Sequence, residues 1–114
     1  MHEKNEKINK ICEAGLEKKA EDILIMDMRQ GSSICDFFIL MSASSTVRAK
    51  AIVDSIESSL KNAGVRLILK EGYQEGSWVL MDYGDIIVHI FYHETRRFYN
   101  LEHLWGDFPK KNYP

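Results

Sequence analysis

The stretch from Gly76 to Tyr92, GSWVLMDYGDIIVHIFY, limits the possible folds of this chain more than any other. It reads as two strand-like runs meeting at Tyr83-Gly84, which makes a tight hairpin the expected connection. Successive side chains of a strand point to opposite faces. Trp78, Leu80 and Asp82 therefore share one face of the first run, with Val79, Met81 and Tyr83 on the other. In the second run Asp85, Ile87, His89 and Phe91 fall together, opposite Ile86, Val88, Ile90 and Tyr92. Neither face is cleanly polar. One side of the ribbon is expected to be covered by the fold, and the other to carry large apolar groups beside charges. That mixture is the make-up of a protein-binding surface.

The remaining pattern supplies the cover. Glu3 to Ala20 places Ile8, Ile11, Cys12 and Leu16 at helical spacing, a surface helix with a narrow apolar stripe. Gly15 costs that helix about 1 kcal/mol of propensity relative to alanine. Asp22 to Asp27 reads as a strand, Arg29 to Cys35 as a polar loop, and Phe37 to Met41 as a strand buried on both faces. Ser42 to Thr46 offers N-caps for a central helix running to about Ala63, with Ala49, Ile52, Val53, Ile56, Leu60 and Ala63 on its core face. Gly64 suits the left-handed position that stops it. Val65 to Lys70 alternates as a third strand, and Glu71 to Ser77 is a loop. A last helix from near Thr95 is expected to bury Phe98, Leu101, Leu104 and Trp105 and to end at Gly106 and Pro109, leaving a polar tail. The prediction is a single α/β (α+β) domain over residues 1–114: a mixed sheet of about five strands with helices packed on it. The strand–helix–strand unit around the central helix predicts parallel pairing there, and the closing hairpin is antiparallel.

With 45% hydrophobic and 28% charged residues, 114 residues can build a core and stay soluble. A net charge of -2 argues against coating nucleic acid by phosphate neutralisation and favours basic partners. No run approaches the roughly 18 apolar residues that span a membrane. The first residues, MHEKNEKINKI, lack the apolar core of a signal peptide, so a cytoplasmic protein, or the mature form of an imported one, is expected. Cys12 and Cys35 read as structural thiols.

Catalytic chemistry is sparse. Asp36, Asp82 and Asp85 are the carboxylates expected to gather at one end of the sheet, but strand-end and turn-flanking roles explain them better than a metal site. Gly31-Ser32-Ser33 lacks the lysine and helix of a phosphate loop. His89 and His93 lie in or beside a strand, where a four-residue spacing does not converge on zinc. Arg96 and Arg97 read as solvated helix positions. Trp78 is set apart by its company, because a purely core-facing row rarely includes a carboxylate such as Asp82.

Several blocks carry a family resemblance: Asp36-Phe37-Phe38-Ile39 with Ser42 and Ser45, Lys70-Glu71-Gly72, the run from Gly76 to His89, Arg97-Phe98-Tyr99-Asn100-Leu101-Glu102, and Leu104-Trp105-Gly106-Asp107. Through them the chain resembles the ribosomal silencing factor family, also called Iojap-like proteins, over nearly its whole length. Ala43 departs from the family's usual glycine and Val47 from a common basic residue. The resemblance implies a fold similar to nucleotidyltransferases without their catalytic set, since no paired Asp-x-Asp follows the Gly31-Ser32 loop. It implies a factor that binds the large ribosomal subunit through ribosomal protein fourteen, blocks subunit joining and lowers translation when nutrients are scarce. No cofactor, metal or catalytic residue is expected. The candidate partner-binding set is Trp78, Val79, Leu80, Asp82, Tyr83, Asp85 and His89, and the same ribbon face is a candidate for self-association into a homodimer. Little direct contact with nucleic acid and none with membrane is expected. The competing readings are a residual magnesium-dependent nucleotidyltransferase using Asp36, Asp82 and Asp85, and a small RNA-binding module.

Overall fold

The computed structural model of the chain describes residues 2–104 and 106–114. Its elements are α1 (His2–Glu17), β1 (Glu21–Asp27), β2 (Phe37–Ala43), α2 (Thr46–Asn62), β3 (Leu69–Glu71), β4 (Trp78–Asp82), β5 (Ile86–Tyr92), α3 (His93–Tyr99), α4 (Leu101–Leu104) and β6 (Lys110–Asn112). The strands form one mixed sheet in the order β3-β4-β5-β2-β1-β6. The β2–β5 pair is parallel and the others are antiparallel. Among the described residues no helix is long and apolar enough to cross a membrane.

One face of the sheet is closed by the two long helices. Ser45 caps α2, its hydroxyl accepting from the Arg48 N–H at 2.9 Å. The predicted stripe Ala49, Ile52, Val53, Ile56 and Leu60 is buried, whereas Ala63 lies just past the end of α2 and is exposed. Ile8, Ile11 and Cys12 of α1 join this core, and Leu16 stays 42% exposed. Gly15 has a packing reason. A Cβ there would lie 2.7 Å from Met41 Sδ, so any larger residue would make the flexible end of the Met41 side chain move aside. On the strands, Ile39, Met41, Val79, Met81, Tyr83, Ile86, Val88 and Ile90 all face these helices.

Four expectations are corrected. The sheet has six strands rather than five, because Lys110–Asn112 of the tail pairs with β1. All three of its side chains are exposed, so it has no apolar period to read. It forms because β1 offers an open edge, with flanking bonds from Asp27 N–H to Pro109 O (2.9 Å) and from Tyr113 N–H to Ile23 O (3.0 Å). The third strand shrinks to Leu69–Glu71, with Val65 and Leu67 only leaning on the core. The parallel neighbour of β2 is β5, not the strand after α2; β4 and β5 intervene and α2 crosses over both. The last helix is broken at Asn100, which adopts a left-handed φ of 51°, and of its predicted anchors among the described residues only Leu101 is buried. Phe98 is 81% and Leu104 70% exposed, and Trp105 lies outside the described residues.

Candidate partner-binding face

The hairpin that carries the candidate residues is pinned at its turn. Tyr83 N–H donates to Ile86 O at 2.9 Å, and Asp82 Oδ1 accepts from Gly84 N–H at 2.7 Å. Gly84 takes a φ of 93°, a conformation that side-chain-bearing residues rarely adopt. The register sets Trp78 opposite Phe91, Leu80 opposite His89 and Asp82 opposite Ile87. On the outer side, Glu71 pairs with Leu80 and Leu69 with Asp82. On the inner side, His89 pairs with Leu40 and Ile87 with Phe38. One sheet face therefore runs from Leu69 and Glu71, through Trp78, Leu80 and Asp82, to a second apolar cluster of Met26, Met28, Phe38, Leu40, Ile87, Phe91 and Leu101.

This second face is closed over β1, β2 and β5 and half open over β3 and β4. Trp78, Leu80 and Asp82 are half-buried, while Glu71 and Leu69 are exposed. A shallow groove of about 290 Å³ runs between Glu71, Gly72, Trp78 and Leu80. Trp78 is partly core and partly surface. Its ring lies 5.0 Å from Phe91 and 4.8 Å from Tyr99, and its indole N–H donates to His89 Nδ1 at 3.1 Å. His89 is 4% exposed, with the Phe38 ring edge-on at 4.8 Å. Burial pulls the imidazole pKa down to about 4, so the ring is neutral near pH 7. With Nδ1 accepting from Trp78, the proton sits on Nε2.

The predicted set is not gathered on one surface. Trp78, Leu80 and Asp82 share the half-open side; His89 lies on the same sheet face but in its closed half, 4% exposed, so a partner would meet it only through Trp78. Val79 and Tyr83 are 0% and 5% exposed and belong to the helix-covered core, so a partner on the open face would not meet their side chains. Asp85 lies in the turn just before β5, where strand alternation does not reach. Its carboxylate turns to the helix layer and accepts from Lys7 Nζ at 3.2 Å. Tyr99, Glu71 and Leu69 were missed. The first reaches Trp78 only because the chain doubles back after β5, and the other two depend on an inter-strand register that no local pattern reveals. Arg96 is also corrected: it is 8% exposed, not solvated.

The buried thiols offer no nucleophile, since desolvation raises Cys12 to about 12 and Cys35 to about 11. Among the described residues, no group of three or more His, Cys, Asp or Glu is placed to hold a metal ion. Fold and site together define a mixed-sheet α/β domain with one sealed face and one apolar platform rimmed by carboxylates.

The family model described as "Ribosomal silencing factor during starvation" matches residues 1–114. A ribosomal silencing factor of Bacillus subtilis is 41% identical over 93 residues, covering 82% of this chain and 79% of the relative. A crystal structure of a Chromobacterium violaceum protein superposes with a TM-score of 0.87 at 34% identity, covering 90% of this chain and 85% of that one. A mouse protein named for mitochondrial assembly of the ribosomal large subunit is 28% identical over 92 residues, which span 78% of this chain and 40% of the relative. The chain belongs to the ribosomal silencing factor family.

Proposed function

We propose that the chain binds the large ribosomal subunit through the half-open sheet face and, by occupying the surface where the small subunit docks, blocks subunit joining. The observation that carries this reading is the platform of Leu69, Trp78 and Leu80 bordered by Glu71 and Asp82. Half-exposed aromatic and aliphatic groups are the anchors typical of protein interfaces. The acidic border favours a basic partner, and ribosomal proteins are commonly basic; ribosomal protein fourteen of the large subunit is the member implied by the sequence resemblance. The name of the mouse relative, which refers to assembly of the large subunit, supports the same target. Steric exclusion needs no reaction chemistry, so the protein acts as a repressor of translation and not as an enzyme, and it serves when nutrients are limiting.

The test is light scattering on mixing purified subunits with saturating protein. A reduced joining amplitude with no nucleotide consumed is expected. An unchanged amplitude would remove the proposal.

A further inference from the structure

The α3 helix is a problem in stability. It has seven residues, no side-chain N-cap bond, and a single buried residue, which is Arg96. A helix of this length does not persist without tertiary support, and its large apolar side chain, Phe98, is 81% exposed. Its support is polar instead. Arg96 Nη1 donates to the Asp22 carbonyl at 2.6 Å and to Ser42 Oγ at 2.9 Å, and Nε donates to Glu102 Oε2 at 3.2 Å. The acceptors come from β1, β2 and α4. The Asp22 carbonyl lies where the β1–β2 register breaks between Glu21 and Leu24, and Asp22 itself adopts a left-handed φ of 48°. A bulge of this kind takes a residue out of the ladder and re-aims its groups.

Three residues beyond Arg96, one helical turn on, Tyr99 sets its ring 4.8 Å from Trp78. Resting on the docking reading above, we infer that Arg96 is a positioning residue for the platform. By fastening α3 to both strands and to α4, it places Tyr99 against Trp78 and so shapes the surface that meets the basic partner. It touches no partner itself, being buried.

The experiment compares Arg96→Met, which keeps the stem and removes the donors, with Arg96→Lys, which returns a donor. The readout is the nuclear Overhauser contact between the Trp78 indole and the Tyr99 ring, with the Phe38–His89 ring contact (4.8 Å) as an internal control of the same face. Arg96→Met is expected to lose the Trp78–Tyr99 contact, to keep Phe38–His89, and to bind purified ribosomal protein fourteen about tenfold more weakly per folded molecule, on the scale of an interface residue. Arg96→Lys is expected to recover part of both. If Arg96→Met does not fold, Glu102→Gln takes its place and should weaken the Trp78–Tyr99 contact. Full wild-type contact in Arg96→Met, or in Glu102→Gln where that stands in, would overturn the inference. A wild-type protein that binds no ribosomal protein would remove the docking reading, while the ring contact still decides whether Arg96 places Tyr99.

Discussion

The two faces of the sheet are built from the same strands by the same alternation, yet they differ in what covers them. Against the helix side, Val79, Met81, Val88 and Ile90 are all fully buried under α1 and α2, which are 16 and 17 residues long. On the other side Trp78, Leu80 and Asp82 stay half-open, because the covering helices α3 and α4 have only seven and four residues, and α3 meets β4 through Tyr99 against Trp78. Apolar content therefore does not tell the two faces apart. The length and anchoring of the covering elements do, and the uncovered remainder is where a partner can be met.

The contrast is sharpest between neighbours. Met81→Ala should cost about 2–5 kcal/mol of folding stability, the range for truncating a fully buried side chain, read from urea melts. Leu80→Ala, one residue away on the other face, should cost about 1 kcal/mol in the same melts. Equal losses would break the distinction between faces.

His89 tests the closed half of the second face through pH. Its folded pKa of about 4 lies below the ordinary value of about 6.5, so the unfolded chain binds the proton more readily. The stability due to the buried neutral ring is complete above pH ~6.5 and falls as pH drops toward about 4, with a total loss of up to about 3 kcal/mol. His89→Phe should flatten that part of the stability curve. An acid limb of the same slope in the variant would show that His89 is not its source.

Trp78 straddles the two environments. Trp78→Ala should weaken ribosome binding by about 2 kcal/mol or more, roughly thirtyfold, and should also cost about 2 kcal/mol in folding, less than the 3–5 of a wholly buried tryptophan. Melts and pelleting on one sample separate the two losses. A stability loss with unchanged binding per folded molecule would make the ring purely structural. The smallest effect expected is weak self-association of the free protein through the same platform, read as a concentration-dependent mass in sedimentation equilibrium; a monomer at high micromolar concentration would exclude it.

Much of this contrast can be read in the residues alone. Alternation assigns Trp78 and Leu80 to one face and Val79 and Met81 to the other, and the Ala49-to-Leu60 stripe identifies the face α2 covers. What stays hidden depends on long-range pairing. Strand β6 has no apolar period because it only borrows the edge of β1. The place of β5 between β4 and β2 follows from which hydrogen-bonding edges remain free, and Asp85 departs from alternation because it sits in the turn. Arg96 resembles any surface arginine until the bulge at Asp22 supplies its acceptor.

The central claim is that the half-open face is the one that meets the ribosome. Sedimentation of lysate supplemented with Leu80→Lys, with wild type and with Lys10→Glu tests it directly, since Leu80 belongs to the platform and the exposed Lys10 to the helix layer. Wild type and Lys10→Glu should migrate with free large subunits, and folded Leu80→Lys should remain at the top of the gradient. Co-migration of Leu80→Lys at the wild-type level would contradict the account.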